Sequence, residues 1–497
     1  MSCFWQASSL IPKLVKIPPL EALSLFTSST PQGLLATHMQ IPIFCLNEVV
    51  EHGDTPSSDS FNNLLNWLVK FGLLQNAREL LNEMRGRIEF DSYTFGIMIQ
   101  GCCAAGELDK AFDLLSELKE MKNGCKPNVV VYTTLINGCW QNGDIESAKR
   151  LFLQIEELGL VPNEFTYTVM INGYFKKGLK KDGFQLYEEM KIKGVPPNIY
   201  AYHSIISEHC KDGNLCKAFQ IFNEMREKEV VCNVVTYNIL INGLCQQRKI
   251  AEAKKLMGRM KGSQLNPNSV TFNTLMDGFC KMGKFEEALK LLDQMRASGH
   301  TPSLITYNSL IDGFTRAGHL AEARNYFKEM LERGLSPNRV TYTILIGAFC
   351  QAQDLKRALE IFSLMERTGL SADVYTFGVL INGFCMEGNT KDAMKLFKSM
   401  IEKEVKPNNV IYDTMIYGYC REGSTYRALR LMKEMKEKGM VPNVASFTLT
   451  IGVLCKDGKW QEAEDLLNEM IKLGMKPCDS IYTRLSNAKV KNTSYCT

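Results

Sequence analysis

The stretches SVTFNTLMDGFCKMG, residues 269–283, and KFEEALKLLDQMRASG, residues 284–299, decide the fold of this chain. Apolar side chains recur at helical spacing in both stretches, first at Phe272, Leu275, Met276 and Phe279, then at Phe285, Ala288, Leu291, Leu292 and Met295. Gly283 suits the end of one helix, and Thr301-Pro302-Ser303 interrupts the chain before another helix begins. The segment is therefore predicted to form a hairpin of two amphipathic helices.

The same hairpin pattern returns every 35 residues along most of the chain. One aromatic residue marks each copy, at Phe61, Phe95, Tyr132, Tyr167, Tyr202, Tyr237, Phe272, Tyr307, Tyr342, Phe377, Tyr412 and Phe447. These residues define twelve units over residues 58–478, and only the first two, 58–91 and 92–128, depart from 35 residues. We number positions within a unit so that the aromatic residue is at position 4. Such a hairpin cannot bury its apolar face alone, which predicts an all-α solenoid of stacked hairpins.

The regions outside the twelve units carry weaker signals. Residues 1–41 include Lys13 and Lys16 but no acidic residue before Glu21, which is typical of an organellar transit segment, with an unstructured terminus as the alternative. Residues 42–57 are interpreted as the second half of a degenerate unit that caps the array. Residues 479–497 are interpreted as a partial repeat and a tail.

The consensus of the units, VTYNxLIxGxCxxGxxxEAxxLFxxMxxxGxxPN, resembles the pentatricopeptide-repeat motif in its plain P-class form. The tetratricopeptide repeat differs, because it has a 34-residue period and a Trp/Gly/Tyr signature that these units lack. The resemblance implies a right-handed α-solenoid of about twelve stacked 35-residue helical hairpins, of the kind found in plant organelles. It also implies sequence-specific binding of single-stranded RNA, with one base read by each repeat.

The residue after the aromatic, at position 5, varies between units although the residues around it do not. It is Asn62, Gly96, Thr133, Thr168, His203, Asn238, Asn273, Asn308, Thr343, Gly378, Asp413 and Thr448. Neighbouring helices pack about 8–10 Å apart, so a row of such side chains can face successive bases of an extended strand. Asn can donate and accept hydrogen bonds, and the Thr hydroxyl can do either, which is enough to distinguish bases. We therefore expect these side chains to point out of the hairpins into a shared groove.

The last position of each unit is predicted to act together with position 5. It holds Asp91, Asn128, Asn163, Asn198, Asn233, Asn268, Ser303, Asn338, Asp373, Asn408, Asn443 and Cys478. Asn, Asp and Ser are preferred at helix N-caps, and every residue of this row precedes a predicted helix. Capping alone and capping combined with base reading both remain open from the residues, and the resemblance favours the combination.

Two further positions complete the predicted site. Position 2 is often apolar, and the resemblance implies that its successive residues sandwich a base, with ordinary packing between units as the alternative. The apolar row includes Val130, Phe165, Tyr200, Val235, Val270, Ile305, Val340, Tyr375 and Val410. Position 13, near the end of the first helix, is often basic, which suits phosphate groups, although a helix C-terminus also favours cations. The basic row is Lys70, Lys176, Lys211, Lys281, Arg316, Arg421 and Lys456.

The family's pairing of position 5 with the last position predicts a target. It assigns uracil to Asn62 with Asp91, adenine to Thr133 with Asn163 and Thr168 with Asn198, cytosine to Asn273 with Ser303, guanine to Thr343 with Asp373, and a pyrimidine to Asn238 with Asn268 and Asn308 with Asn338. The units with Gly96, His203 (whose last residue is Asn233), Gly378, Asp413 and Cys478 stay unassigned. With the N-terminus toward the 5′ end, the target reads 5′-UNAANYCYGNNN, where Y is a pyrimidine and N is unassigned.

Chemistry other than binding has little support in the sequence. Eight cysteines share position 12, namely Cys103, Cys210, Cys245, Cys280, Cys350, Cys385, Cys420 and Cys455. Their expected separation of about 8–10 Å exceeds the roughly 7 Å Cα limit of a disulfide, so they are predicted to be core thiols. No Cys-x-x-Cys pair, P-loop, Gly-x-Ser-x-Gly or zinc-deaminase signature occurs. The chain is therefore predicted not to be an enzyme and to need no cofactor or metal.

Bulk properties agree with a binding protein. The formal net charge of +4 is too small for a generic polyanion binder, and no apolar run reaches the ~18 residues of a membrane span. We expect a monomer that binds single-stranded RNA and acts in organellar transcript processing, stabilisation or intron splicing, with other RNA-processing proteins as further partners. The mitochondrion is the predicted compartment and the plastid the alternative. The rival function is a protein-binding solenoid scaffold.

Overall fold

The structure, a computed structural model, describes residues 57–121 and 125–493. The leader predicted for residues 1–41 and all but the last residue of the cap predicted for 42–57 lie outside the described residues. Within them the chain forms helices and one isolated bridge between Arg85 and Ile88, without a strand. None of the described helices is both long and apolar enough to cross a membrane.

The helices form two compact parts, one ending at Gly243 and the other beginning at Leu244. The first part contains α1 Ser58–Lys70, α2 Leu74–Met84, α3 Ser92–Ala104, α4 Leu108–Glu120, α5 Val129–Asn142, α6 Ile145–Glu157, α7 Glu164–Lys176, α8 Lys180–Ile192, α9 Ile199–Lys211, α10 Leu215–Glu227 and most of α11 Val234–Gln246. First helices in this part pack against the second helix of their own unit and the first helix of the next, as α5 does with α6 and α7.

The second part repeats this arrangement. It contains the end of α11, then α12 Ile250–Gly262, α13 Ser269–Lys281, α14 Phe285–Ala297, α15 Leu304–Arg316, α16 Leu320–Glu332, α17 Arg339–Gln351, α18 Leu355–Arg367, α19 Val374–Glu387, α20 Thr390–Glu402, α21 Asn409–Glu422, α22 Thr425–Glu437, α23 Val444–Lys456, α24 Trp460–Lys472 and α25 Asp479–Thr493. Here α13 packs against α14 and α15 in the same way. The predicted all-α stack of hairpins is confirmed within each part.

The aromatic residue at position 4 lies in the centre of each hairpin. Ten of these residues are among the largest fully buried side chains, namely Phe61, Phe95, Tyr132, Tyr167, Tyr202, Phe272, Tyr307, Phe377, Tyr412 and Phe447. Ala288 and its equivalents at position 20 are also buried, because only a small side chain lets the two helices of a hairpin approach closely. Gly283 follows the first helix of its own hairpin and has a φ of +69°, a conformation that glycine adopts without strain.

The cysteines at position 12 pack against glycines at position 10 of the next unit. A Cβ atom added to Gly418 would lie 2.6 Å from the Cys385 sulfur, and one added to Gly383 would lie 2.7 Å from the Cys350 Cβ. Burial raises the pKa of the Cys385 thiol to about 12, so this group stays protonated and unreactive at neutral pH. The described cysteines are free thiols, and no described cluster of ligands could hold a metal ion. Cys103, Cys210, Cys280, Cys385 and Cys420 are buried, as predicted for core thiols, whereas Cys245, Cys350 and Cys455 are partly buried.

Candidate nucleic-acid interface

The last residue of most units forms the N-cap of the helix that follows. The Asn268 side chain accepts a hydrogen bond from the Thr271 backbone N–H at 3.1 Å, and the Asn338 side chain accepts one from Thr341 at 3.0 Å. The same cap geometry occurs at Asp91, Asn128, Asn163, Asn198, Asn233, Asp373, Asn408 and Asn443. The cap uses one oxygen of the side chain. The cap of Asn338 therefore leaves its Nδ2 group as a donor, and an Asp cap leaves a second carboxylate oxygen.

Asn198 shows what such a cap leaves over. Its Oδ1 accepts the Ala201 backbone N–H at 2.9 Å, whereas its Nδ2 is buried without a hydrogen-bond partner. A buried donor without a partner costs about 1–3 kcal/mol, and most such groups in proteins have partners. This donor, unsatisfied among the described residues, belongs to a predicted base-reading residue whose Oδ1 atom lies 3.2 Å from the Thr168 hydroxyl oxygen.

The side chains at position 5 lie between the first helices of successive units. Asn273 and Asn308 are partly exposed, whereas Asn62, Thr168 and Thr343 are buried, with 3–6% of their surface exposed. The sequence suggested that this row projects out of the hairpins into a groove. Instead, the row lies along the crevice between neighbouring helices and is only partly open to solvent. A ligand in this crevice would meet one edge of each side chain, while the protein holds the other.

The threonines at position 5 can only accept a hydrogen bond from a ligand. The hydroxyls of Thr133 and Thr168 each donate to the backbone carbonyl four residues earlier, both at 2.7 Å, and Thr343 does so at 2.8 Å. A hydroxyl has a single proton, so its remaining capacity is as an acceptor. The sequence suggested that the Thr hydroxyl could either donate to a base or accept from it, and only the acceptor role is left.

Positions 2, 5 and the last position line one groove in the second part of the chain. The groove encloses about 1090 Å³. Its walls include Ile305, Val340 and Tyr375 from position 2, Asn308 and Thr343 from position 5, and Asn338 and Asp373 from the last position. The structure thus brings together the three rows that the sequence assigned to one site.

The residues of position 2 are exposed. The exposed fraction is between 51% and 65% for Val130, Phe165, Tyr200, Val235, Val270, Ile305 and Val340. A regular row of exposed apolar side chains is unusual on a soluble protein and marks a contact surface. Packing between units, the alternative left open by the sequence, leaves more than half of the surface of each of these side chains uncovered.

Three of the seven basic residues of position 13 are paired with acidic residues of the same helix. Lys281 contacts Asp277 at 2.6 Å, Arg316 contacts Asp312 at 2.9 Å, and Lys211 contacts Glu208 at 3.0 Å; Lys176 is exposed. The predicted positive line is therefore locally neutralised at these pairs. The exposed pair of Lys281 with Asp277 contributes only about 0–1 kcal/mol, so a phosphate group can compete with this carboxylate, whereas Glu208 is buried.

Two groups at the interface were not predicted from the sequence. Arg339, at position 1, approaches the Asp373 carboxylate at 3.4 Å and Ser371 at 3.3 Å. Although partial burial alone would raise it, the pKa of Asp373 is lowered by hydrogen bonds from Thr376 and by Arg339, so this carboxylate stays ionised. The second group is the hydroxyl at position 3, exemplified by Thr306 and Thr341. Its signal was present in the sequence as a Ser or Thr that follows certain position-5 residues by 32 or 33 residues.

His203 occupies position 5 in a unit without an assigned base. Its Nε2 lies 2.8 Å from the Thr236 hydroxyl, and burial lowers the pKa of the imidazole. The ring is therefore neutral at physiological pH, with one nitrogen facing Thr236 and the other left to a ligand.

Comparison with known proteins agrees with this architecture. A sequence model of the PPR repeat family matches residues 56–104, 91–141, 127–176, 168–211, 197–246, 233–281, 267–316, 302–351, 340–386 and 407–456, and a second PPR repeat model matches residues 375–405 and 445–475. A pentatricopeptide repeat-containing protein of Arabidopsis thaliana is 50% identical over 96 residues, which is 19% of this chain and 17% of that protein.

Other relatives and structures extend the comparison. A chloroplastic and a mitochondrial pentatricopeptide repeat-containing protein of Arabidopsis thaliana are 30% identical over 106 residues (21% of this chain) and 32% identical over 102 residues (20% of this chain). The matches span only 14% and 25% of these two relatives.

The crystal structure of the pentatricopeptide repeat protein PPR10 in complex with an 18-nt psaJ RNA element has a similar fold. The alignment covers 95% of this chain and 85% of the PPR10 chain, at a TM-score of 0.52 and 20% identity. At that identity, the likeness concerns the fold.

Proposed function

Because this chain belongs to the PPR repeat family, we propose that it binds single-stranded RNA sequence-specifically and places one base at each repeat. The observation that carries the proposal is the row of exposed apolar residues at position 2, next to polar side chains that keep unused donors and acceptors. Apolar surfaces can cover the faces of a base, while polar groups meet its edge. We assign the reading array to residues 58–478 and the partial repeat to residues 479–497.

The hydrogen bonds inside the protein supply a chemical basis for the assigned bases. At Thr168 with Asn198, one acceptor and one donor remain, which matches the N6 amino group and N1 of adenine. At Thr343 with Asp373, the Thr343 hydroxyl and the Asp373 Oδ2 atom can accept, although Oδ2 is shared with Arg339 at 3.4 Å, and two acceptors match the N1–H and N2 amino group of guanine. At Asn308, Oδ1 accepts from Thr341, so its Nδ2 faces a base as a donor.

Pyrimidines fit the units with an amide at both positions. Asn308 and Asn338 each keep an Nδ2 donor, because their Oδ1 atoms accept from Thr341. Both pyrimidines carry two acceptors on the pairing edge. These are O2 and N3 in cytosine, and O2 and O4 in uracil. At Asn62 with Asp91 the Asn62 Nδ2 group donates to Asp91 Oδ1 at 3.5 Å, which leaves its second proton and the Asp91 Oδ2 atom for O4 and N3–H of uracil.

The proposed mechanism is occupancy of a transcript. A protein that holds about one nucleotide per repeat in an extended strand blocks nucleases and prevents competing RNA hairpins, and it can keep an intron in a splicing-competent shape. Named relatives are chloroplastic and mitochondrial, which supports an organellar location. Within that range we propose the mitochondrion, with the plastid as the alternative. We propose no catalytic step for the repeat array.

A protein-binding scaffold remains the second candidate. It would also use an exposed apolar row, but it has no need for a pair of polar positions whose chemistry changes from unit to unit. The unpartnered Nδ2 of Asn198, next to an acceptor-only Thr168, favours a ligand with paired donor and acceptor atoms, such as a base.

Removing exposed aromatic side chains at position 2 tests the proposal. Phe165→Ala and Tyr200→Ala should each lower RNA affinity about tenfold, since stacking of one base on an aromatic side chain contributes about 1–3 kcal/mol. The melting temperature should stay unchanged, because the two side chains are 54% and 60% exposed. Fluorescence anisotropy with labelled RNA and circular dichroism measure the two quantities.

Ile192→Ala provides the matched control. Ile192 is 84% exposed but lies at the end of α8, the second helix of the unit that contains Phe165. Its substitution should change neither affinity nor stability. If the Phe165 and Tyr200 variants bind RNA as tightly as the unsubstituted protein, the RNA-binding assignment of this face is wrong.

A further inference from the structure

The hydroxyl at position 3 of one unit contacts the position-5 side chain of the unit before it. The Thr306 Oγ1 donates to Asn273 Oδ1 at 2.9 Å, and the Thr341 Oγ1 donates to Asn308 Oδ1 at 2.7 Å. Equivalent contacts join Asn62 to Thr94, Thr133 to Thr166, His203 to Thr236, Thr343 to Thr376 and Asp413 to Ser446, at 2.6–2.9 Å.

The same hydroxyl also belongs to the cap of its own helix. The backbone N–H of Ser303 donates to Thr306 Oγ1 at 3.0 Å, and that of Asn338 donates to Thr341 Oγ1 at 3.3 Å. One lone pair of each hydroxyl is therefore occupied by the N-cap backbone. Thr341 Oγ1 lies 2.7 Å from Asn308 Oδ1 and 3.1 Å from Oδ1 of its own cap residue Asn338, so the shorter contact directs its single proton to position 5. A single threonine thus joins the two residues that face each base.

The sequence shows that this contact is required by some residues and not by others. Each amide, carboxylate or imidazole at position 5 is followed by a hydroxyl at the next position 3, in the pairs Asn62 with Thr94, His203 with Thr236, Asn238 with Thr271, Asn273 with Thr306, Asn308 with Thr341 and Asp413 with Ser446. Threonines at position 5 occur with or without this hydroxyl. They satisfy their own proton on a backbone carbonyl, as Thr168 does beside Ala201.

Two units replace the polar pair with an apolar one. Gly378 is followed by Ile411, and Gly96 is followed by Val131. A Cβ added to Gly378 would lie 3.0 Å from Ile411 Cδ1, and one added to Gly96 would lie 3.9 Å from Val131 Cγ2. At Gly378 the aliphatic side chain therefore fills the space of a position-5 side chain, and in neither unit does position 5 offer a polar group to a base.

We propose that position 3 is a third specificity-determining position, which fixes whether the position-5 side chain presents a donor or an acceptor. A hydroxyl donor at Thr306 holds the Oδ1 of Asn273, and this leaves Nδ2 toward the base. Without that hydroxyl the amide can turn over and present either group. The units with Gly96 and Gly378 then hold a nucleotide without selecting it at position 5. This inference rests on the proposed RNA binding.

The test measures base preference at the seventh nucleotide of the predicted 12-mer, the one assigned to Asn273. Four RNAs that differ only there are titrated against the full chain and against Thr306→Val. The unsubstituted protein should prefer cytosine to guanine. Thr306→Val should reduce that preference about fivefold, the effect expected from one hydrogen bond. Thr306→Ser, which keeps the hydroxyl, should restore it.

Two further variants separate reading from folding. Thr341→Val removes the same cap hydroxyl one unit later, so it should alter preference at the eighth nucleotide and leave the seventh unchanged. The double variant Asn273→Gly with Thr306→Ile copies the Gly378 and Ile411 pair, and it should bind the four RNAs within about twofold of one another.

Three results would overturn the inference. Thr306→Val would contradict it by weakening all four RNAs equally, since this is the effect of a lost cap alone. A cytosine preference that persists in the Gly and Ile double variant would also contradict it. A lack of preference at the seventh nucleotide in the unsubstituted protein would overturn the proposed one-base-per-repeat reading together with the inference.

Discussion

The double substitution Asn273→Thr with Ser303→Asp is expected to convert the preference at the seventh nucleotide from cytosine to guanine. The variant reproduces the pair Thr343 with Asp373, which presents two acceptors instead of donors. Guanine has two donors on its pairing edge, whereas cytosine has only one. A well-placed pair of hydrogen bonds to a base contributes about 1–3 kcal/mol of discrimination, so the ratio of guanine to cytosine affinity should rise at least tenfold.

The local structure accommodates this exchange. Thr306 lies at position 3 of the helix that Ser303 begins, as Thr376 does after Asp373, so an aspartate can form the same cap. Arg339 accompanies Asp373, whereas the equivalent residue here is Ser269. Adding Ser269→Arg therefore makes a second variant that shows whether the arginine is part of guanine selection. An unchanged cytosine preference in both variants would show that these two positions do not read the base.

Gly173→Ala is expected to cause a large loss of stability. A Cβ on Gly173 in α7 would overlap the indole ring of Trp140 in α5, and this ring is 5% exposed. The ring also packs edge-on against Tyr174 and donates from Nε1 to the Met170 sulfur, so it has little room to move. Overpacking of this kind costs about 1–3 kcal/mol, and the midpoint of thermal unfolding should fall by several degrees.

Gly258→Ala is the matched control for that substitution. Gly258 is also inside a helix, α12, but a Cβ there would meet no atom within 4 Å. Since alanine is about 0.5–1 kcal/mol more favourable than glycine in a helix, this variant should be slightly more stable. Equal shifts of the two melting temperatures in the same direction would contradict the proposed packing of first helix against first helix.

The hairpins, the buried aromatic row and the N-caps could all be predicted from the sequence. Each depends on spacing inside one unit, such as the helical period after Phe272 or the place of Asn268 before a helix. The fit of Gly418 against Cys385 was not predicted, although both residues belong to regular rows. It depends on the relative height of two helices from different units, which a single period does not specify.

The sequence predicted which positions lie together at the candidate site but not how they are hydrogen-bonded. The sequence grouped positions 2, 5 and the last position, and the groove beside Asn308 and Asp373 contains all three. It did not reveal that Thr343 uses its proton internally, because that bond runs to a backbone carbonyl. Nor did it reveal the contact between Asn273 and Thr306, which joins residues 33 apart.

The most direct test of sequence-specific reading compares three 12-mers in one titration at fixed salt. They are an RNA that follows 5′-UNAANYCYGNNN with defined bases at N and Y, an RNA of the same composition in scrambled order, and DNA of the predicted sequence. The account predicts that the first RNA binds at least tenfold more tightly than the scrambled RNA, because several units discriminate at once. The DNA should bind more weakly than the first RNA. Equal affinity for the predicted and scrambled RNAs would contradict the account.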